Sequence, residues 1–195
     1  MHRNGVIIQD CSAPSFKLTK FNGKYLGVNS FFTDPLSEIK EPECKELSER
    51  IFHKYEDGLY TILEFVSDPD LLFDYLSKCE ELDIKVRVLL VESDYPDEIC
   101  EYNFPKMKLI GYEICEIPFD SQIITDFDWY VPFHKFYNNL NEYGLFESEK
   151  YALEFKEAYE YESQTGSIGD GKIDIFICKV YEVDIASFMN EHRIS

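Results

Sequence analysis

The apolar residues of this chain change period along its length, and the changes mark out the elements. Leu72, Tyr75, Leu76, Cys79 and Leu82 recur at three- and four-residue steps, which places them on one stripe of a helix. Ser67-Asp68-Pro69-Asp70 supplies what the start of that helix needs: a capping side chain, a proline in the first turn and acids at the positive end of the dipole. On either side the pattern turns to that of strands. Residues 59–66 are rich in β-branched and aromatic side chains. In residues 84–91, Ile84, Val86, Val88 and Leu90 share one face. A strand, a helix of about four turns and a strand can make a right-handed parallel crossover.

The N-terminal pattern is different. Residues 16–21 and 24–28 flank Asn22-Gly23, a pair that accepts the positive φ angles of a two-residue hairpin turn. Residues 33–43 hold Asp34-Pro35 and Glu41-Pro42 and read as a linker. A short helix to about residue 49 follows, with Cys44, Leu47 and Ile51 at helical spacing. A hairpin turning at Asp57-Gly58 competes with it for residues 50–56 and, if formed, makes the sheet mixed.

Further on, residues 107–117 read as a strand and residues 118–132 as an aromatic connection. A helix carrying Phe133, Phe136, Tyr137 and Leu140 closes near Gly144, and Ser148 caps another with Tyr151, Phe155 and Tyr159 on its stripe. A Gly/Ser-rich turn over 163–171 leads into residues 173–183, apolar on both faces and therefore a central strand. The expected fold is α+β: a mixed β-sheet packed with helices and an N-terminal β-hairpin. Residues 1–40 form the hairpin extension and residues 41–195 a single acidic domain.

Composition adds little until charge is counted. At 195 residues the chain is long enough to bury a core without disulfides or metals. Its apolar runs stop at a few residues, as in Val88-Leu89-Leu90-Val91, so no transmembrane helix is predicted. The charge is −19, from 38 acidic and 19 basic residues. Residues 1–40 carry a net +2, whereas residues 41–105 hold eighteen acids against six bases, and residues 106–195 seventeen against eight. Such a field opposes nucleic acid, whose phosphates need Lys and Arg, and opposes anionic membrane surfaces. It favours solubility and steers a basic protein partner inward.

Catalytic chemistry is thinly represented. The six cysteines, at 11, 44, 79, 100, 115 and 178, contain no CxxC pair, and the first ten residues lack a signal peptide's apolar stretch. Free thiols in a cytoplasmic protein are expected, with Cys79, Cys115 and Cys178 as small core residues. No cofactor and no metal site are expected. His2, His53, His134 and His192 form no helical zinc motif; His2 and His192 read as solvated ends, and His134 is set among aromatics at a helix start. Gly166, Gly171 and Lys172 imitate part of a phosphate-binding loop, but Ile173 replaces its Ser or Thr and a strand follows, so a hairpin turn is the better reading. Asp94, Asp97, Glu98 and Glu101, and separately Asp126 and Asp128, could be metal or catalytic carboxylates, but they lack the ligand order of a calcium loop.

The aromatic residues, 16% of the chain, say more. Many tyrosines alternate with acids, as in Tyr159-Glu160-Tyr161-Glu162. Tyrosine among carboxylates suits an interface with a Lys/Arg-rich partner; the alternative is that these tyrosines border the core. Residues 107–183, through Leu-Ile-Gly-Tyr-Glu at 109–113 and Asn-Glu-Tyr-Gly-Leu-Phe-Glu-Ser at 141–148, resemble the immunity proteins of bacterial polymorphic-toxin systems. These stretches are structural punctuation and transfer no functional residue. The resemblance implies a cytosolic protein that binds and blocks a cognate secreted toxin, often a nuclease. The expected interface is Asp94, Asp97, Glu98, Glu101, Asp126, Asp128 and Trp129, with Trp129 as anchor and the carboxylates steering. The second reading is a small hydrolase or ligand-binding enzyme using carboxylates and His134.

Overall fold

A computed structural model describes residues 2–10, 20–21, 24–25, 35–37, 39–51, 66, 68–94, 102–116, 120–121, 130–168 and 175–194. The class is α+β. Its strands are β1 (His2–Asp10), β2 (Lys20–Phe21), β3 (Lys24–Tyr25), β4 (Val86–Ser93), β5 (Met107–Glu116), β6 (Asp120–Ser121) and β7 (Ile175–Val183). Its helices are α1 (Pro42–Ile51), α2 (Pro69–Glu81), a 3-10 helix (Val131–Asn139), α3 (Glu149–Gln164) and α4 (Ile185–Ile194).

The main sheet runs β1-β4-β7-β5-β6, and every neighbouring pair is antiparallel. Strand β7 is central, as its apolar faces predict. Side chains alternate along a strand, so Ile175 and Val183 lie on the same sheet face, at opposite ends of β7. At the Val183 end, Val6, Ile8, Val88 and Leu90 are buried with Leu72, Tyr75 and Leu76 of α2 and Phe188 and Met189 of α4. At the Ile175 end, Ile114 packs with Phe133, Phe136, Phe155 and Tyr159 of the 3-10 helix and α3. Phe155 is fully buried and meets Phe133 and Phe136 edge-on at 4.8 and 5.4 Å, the favoured aromatic geometry. On the reverse face, Ile7, Leu89, Val91, Cys178 and Val180 form a third cluster with Leu145.

Gly111 allows the loop before α3 to reach that reverse face. It sits at φ 152°, where the β5–β7 register slips, and a Cβ there would lie 2.6 Å from Cβ of Leu145. Tyr112 and Phe146 exchange backbone hydrogen bonds of 3.0 and 2.9 Å, and Nδ2 of Asn141 donates to the Ile110 carbonyl at 2.6 Å. The stretches 109–113 and 141–148 are thus partners in space, one supplying the gap and the other filling it.

Several expectations hold. The β2–β3 hairpin pairs Phe21 with Lys24 around Asn22-Gly23. Oδ1 of Asp68 accepts from the amides of Asp70 and Leu71 at 2.9 and 3.2 Å, capping α2. Oγ of Ser148 accepts from the Tyr151 amide and caps α3. Cys44, Cys79, Cys115 and Cys178 are buried free thiols, and burial, followed by the nearby Glu41 carboxylate, pushes the Cys44 thiol above its usual range.

Others are corrected. The sheet is antiparallel in all its described pairings rather than mixed. The position beside β4 is taken by β1, which pairs with it from His2↔Ser93 to Asp10↔Val86. Of the strand expected over 59–66, only Val66 is described, bridging Val6 in antiparallel sense. Helix α1 continues to Ile51; the hairpin expected at Asp57-Gly58 lies outside the described residues. The helix over 131–139 is 3-10, which at three residues per turn stacks Phe133 over Phe136. Gly166 closes α3 at φ 75°, and Gly171 and Lys172 of the expected hairpin turn lie outside the described residues. His192 is half-buried rather than a solvated end: its ring lies 5.4 Å from Phe73 and 4.2 Å from Phe188.

Candidate functional site

The proposed interface residues fall largely outside the described chain. Asp94 is exposed just beyond the end of β4. Asp97, Glu98, Glu101, Asp126, Asp128 and Trp129, together with His53, lie outside the described residues. His134 is half-buried on the 3-10 helix. Among the described residues no group of three or more His, Cys, Asp or Glu could hold a metal ion, and no helix is long and apolar enough to cross a membrane.

The tyrosines divide. Tyr75, Tyr102, Tyr137 and Tyr159 are buried, and Tyr112, Tyr130, Tyr143, Tyr151 and Tyr181 are half-buried. Tyr161 alone is exposed among the tyrosines whose burial is described, at 65%. Alternation with acids mostly marks amphipathic elements whose aromatic side borders the core. Many of the described carboxylates face solvent, with Glu113, fully buried, an exception.

Those carboxylates converge between α1 and α2. The apolar stripes Cys44-Leu47-Ile51 and Leu72-Tyr75-Leu76-Cys79 pack both helices into one core. Packing the stripes together turns the acids of α1 toward the polar flank of α2. There Lys78 is buried to 6% exposure, with its ammonium 3.1 Å from Glu81, 3.2 Å from Glu43 and 3.4 Å from Glu41. The three carboxylates are themselves 55 to 72% exposed. The hydrogen bond that Lys78 donates to Glu81 leads in holding its ammonium above the ordinary range, against the desolvation that would lower it. Lys78 therefore stays charged at physiological pH and ties α1 to α2.

Beside this cage a groove of about 450 Å³ runs between the two helices. Leu47 and Phe73 give it an apolar floor; Glu43, Glu46, Asp74 and Glu81 line it against Arg50 and Lys78. Four carboxylates against two cations leave the groove net negative. An extended basic side chain fits this chemistry, with its methylenes on Phe73 and its charge among the carboxylates. The acids are visible in the sequence: Glu41 just before α1 and Glu43 within it flank the apolar stripe, and Glu46 and Glu49 lie on the far side. Their convergence with Asp74 and Glu81 needs the α1–α2 packing, which the sequence does not show. Comparison with protein families, with curated proteins and with solved structures finds no match.

Proposed function

We propose that this protein is an acidic binding module that docks a basic protein partner on its α1–α2 face, as an immunity protein covers the toxin it neutralises. The observation that supports this reading is the groove itself: an apolar floor, an excess of two carboxylates and solvent-facing carboxylate edges, in a chain of net charge −19. Partner lysines or arginines would be steered by the field and held by Glu46 and Asp74, which line the groove outside the Lys78 cage. The interface expected around Asp94–Glu101 and Asp126–Trp129 stays part of this proposal through the exposed Asp94.

The test begins with the gene's neighbours. A toxin-like open reading frame beside it supplies the partner, and co-expression of that toxin domain should be tolerated only with this protein present. Glu46→Lys with Asp74→Lys should leave the protein folded, since exposed substitutions change stability by no more than about 0.5 kcal/mol. It should slow association with the toxin domain by about tenfold, within what electrostatic steering supplies. No such neighbour, or an on-rate indifferent to this double reversal, would remove the reading.

A further inference from the structure

A second concavity lies on the other flank of α2. It occupies about 680 Å³ between the C-terminal end of α2, the start of β4 and helix α4, a size that small-molecule sites commonly have. Its walls are aliphatic or sulfur-bearing: Leu76, Cys79, Ile84, Val86, Ile185 and Met189. Leu76, Cys79 and Met189 are 5% exposed or less, so the floor belongs to the core, and occupying the space would not require them to unpack.

The rim carries charge that cancels. Glu80 and Arg193 join α2 to α4 in a close ion pair. Asp83 and Lys85 flank Ile84 with opposite signs. In a chain of net charge −19, a site with two acids and two bases at its rim is locally neutral. A charged occupant would surrender hydration there without gaining an opposite excess, whereas an apolar one gains from the buried aliphatic walls.

We propose that the cleft between α2 and α4 binds a small uncharged aliphatic molecule. The neutral rim selects against ions of either sign and the aliphatic walls supply the affinity. This site is independent of the basic-partner reading, because it uses the opposite flank of α2.

The probe is 1-octanol, titrated into the full chain while the ¹³C methyl signal of Met189 is followed by NMR. A saturable shift of that methyl is expected. Ala186→Phe should abolish it by filling the cleft from an exposed position of α4. Octanoate and octylammonium should each bind at least about threefold more weakly, the charge being desolvated without compensation. Asn190→Trp, at another exposed position lining the cleft, serves as the filling variant if Ala186→Phe does not fold. A shift that never saturates, one that survives the filling variant, or a charged octyl compound binding as tightly as the alcohol would overturn the proposal.

Discussion

The groove between α1 and α2 and the cleft between α2 and α4 share one helix, and each has an apolar floor, the wider one in the cleft. Their rims differ. On the α1 flank, four carboxylates meet two cations and the excess faces water; on the α4 flank, two acids meet two bases. The difference arises from which helix is docked beside α2. Helix α1 brings Glu43 and Glu46 to its rim, whereas α4 ends in His192 and Arg193, basic residues suited to a helix C-terminus. One amphipathic helix can therefore present two binding chemistries, because α2 itself supplies only Asp74, Lys78 and Glu81 of one rim and only Glu80 of the other.

The largest effect should come from inverting the centre of the charged flank. Lys78→Glu would gather four carboxylates in one cage, and loss of a buried countercharge is strongly destabilising. A fall in Tm of about 10 °C is expected, given about 2–4 °C per kcal/mol for a chain of this size. Lys78→Met should cost far less, since the three carboxylates are more than half exposed and keep their water. Equal losses in the two variants, measured by thermal unfolding, would show that the cage holds α1 by packing and not by charge.

Asp68→Ala should weaken both flanks together, because the cap it removes belongs to α2 itself. Loss of such a cap costs about 1 kcal/mol. Hydrogen exchange of the first-turn amides of α2 would report it, with α1 and α4 protected less in equal measure.

Acid should loosen the start of α4. Asp184 accepts from the Ser187 amide at 3.2 Å at the start of α4 and from Lys106 at 2.8 Å. Lys106 leads in holding its carboxyl below the usual value of 3.8. A carboxyl whose folded value is depressed contributes fully above its unfolded value, and that contribution is lost as pH falls through the folded one. Exchange protection in α4 should therefore drop as pH falls below about 4, while Asp184→Asn is lower throughout and flat over that range. The smallest effect is expected from Arg193→Ala. Its pair with Glu80 is half exposed, so it should cost below about 1 kcal/mol while making the cleft rim acidic and shifting its preference toward cations.

Much of this architecture can be read from the residues. The stripes of α1, α2 and α3, the caps at Asp68 and Ser148 and the hairpin at Asn22-Gly23 are local signals, and local signals survive folding. The central place of β7 follows from its two apolar faces. Strand β1 is harder, because Val6-Ile7-Ile8 is a short continuous run without alternation; burial of all three on both sheet faces explains it. Helix α4 carries a readable stripe, Ile185, Phe188, Met189 and His192, behind Asp184 as a cap, hidden only by its position after a long strand. The antiparallel order is not local at all, since β1 and β7 reach β4 from opposite ends of the chain. The groove has the same origin: the acids are visible in the sequence, but the helix that turns them toward Lys78 is not.

The claim that the charged flank, and not the neutral one, receives basic groups can be measured without knowing the partner. A hexa-arginine peptide is titrated into the protein while backbone amide shifts are recorded at low and at high salt. The account predicts shifts concentrated on α1 and on Phe73, Asp74 and Ser77 of α2, absent from α4, fading as salt shortens the Debye length from about 10 Å at 0.1 M to about 3 Å at 1 M. They should also be lost in Glu46→Lys with Asp74→Lys. Shifts spread evenly over α3 and α4, or unchanged by that double reversal, would contradict it.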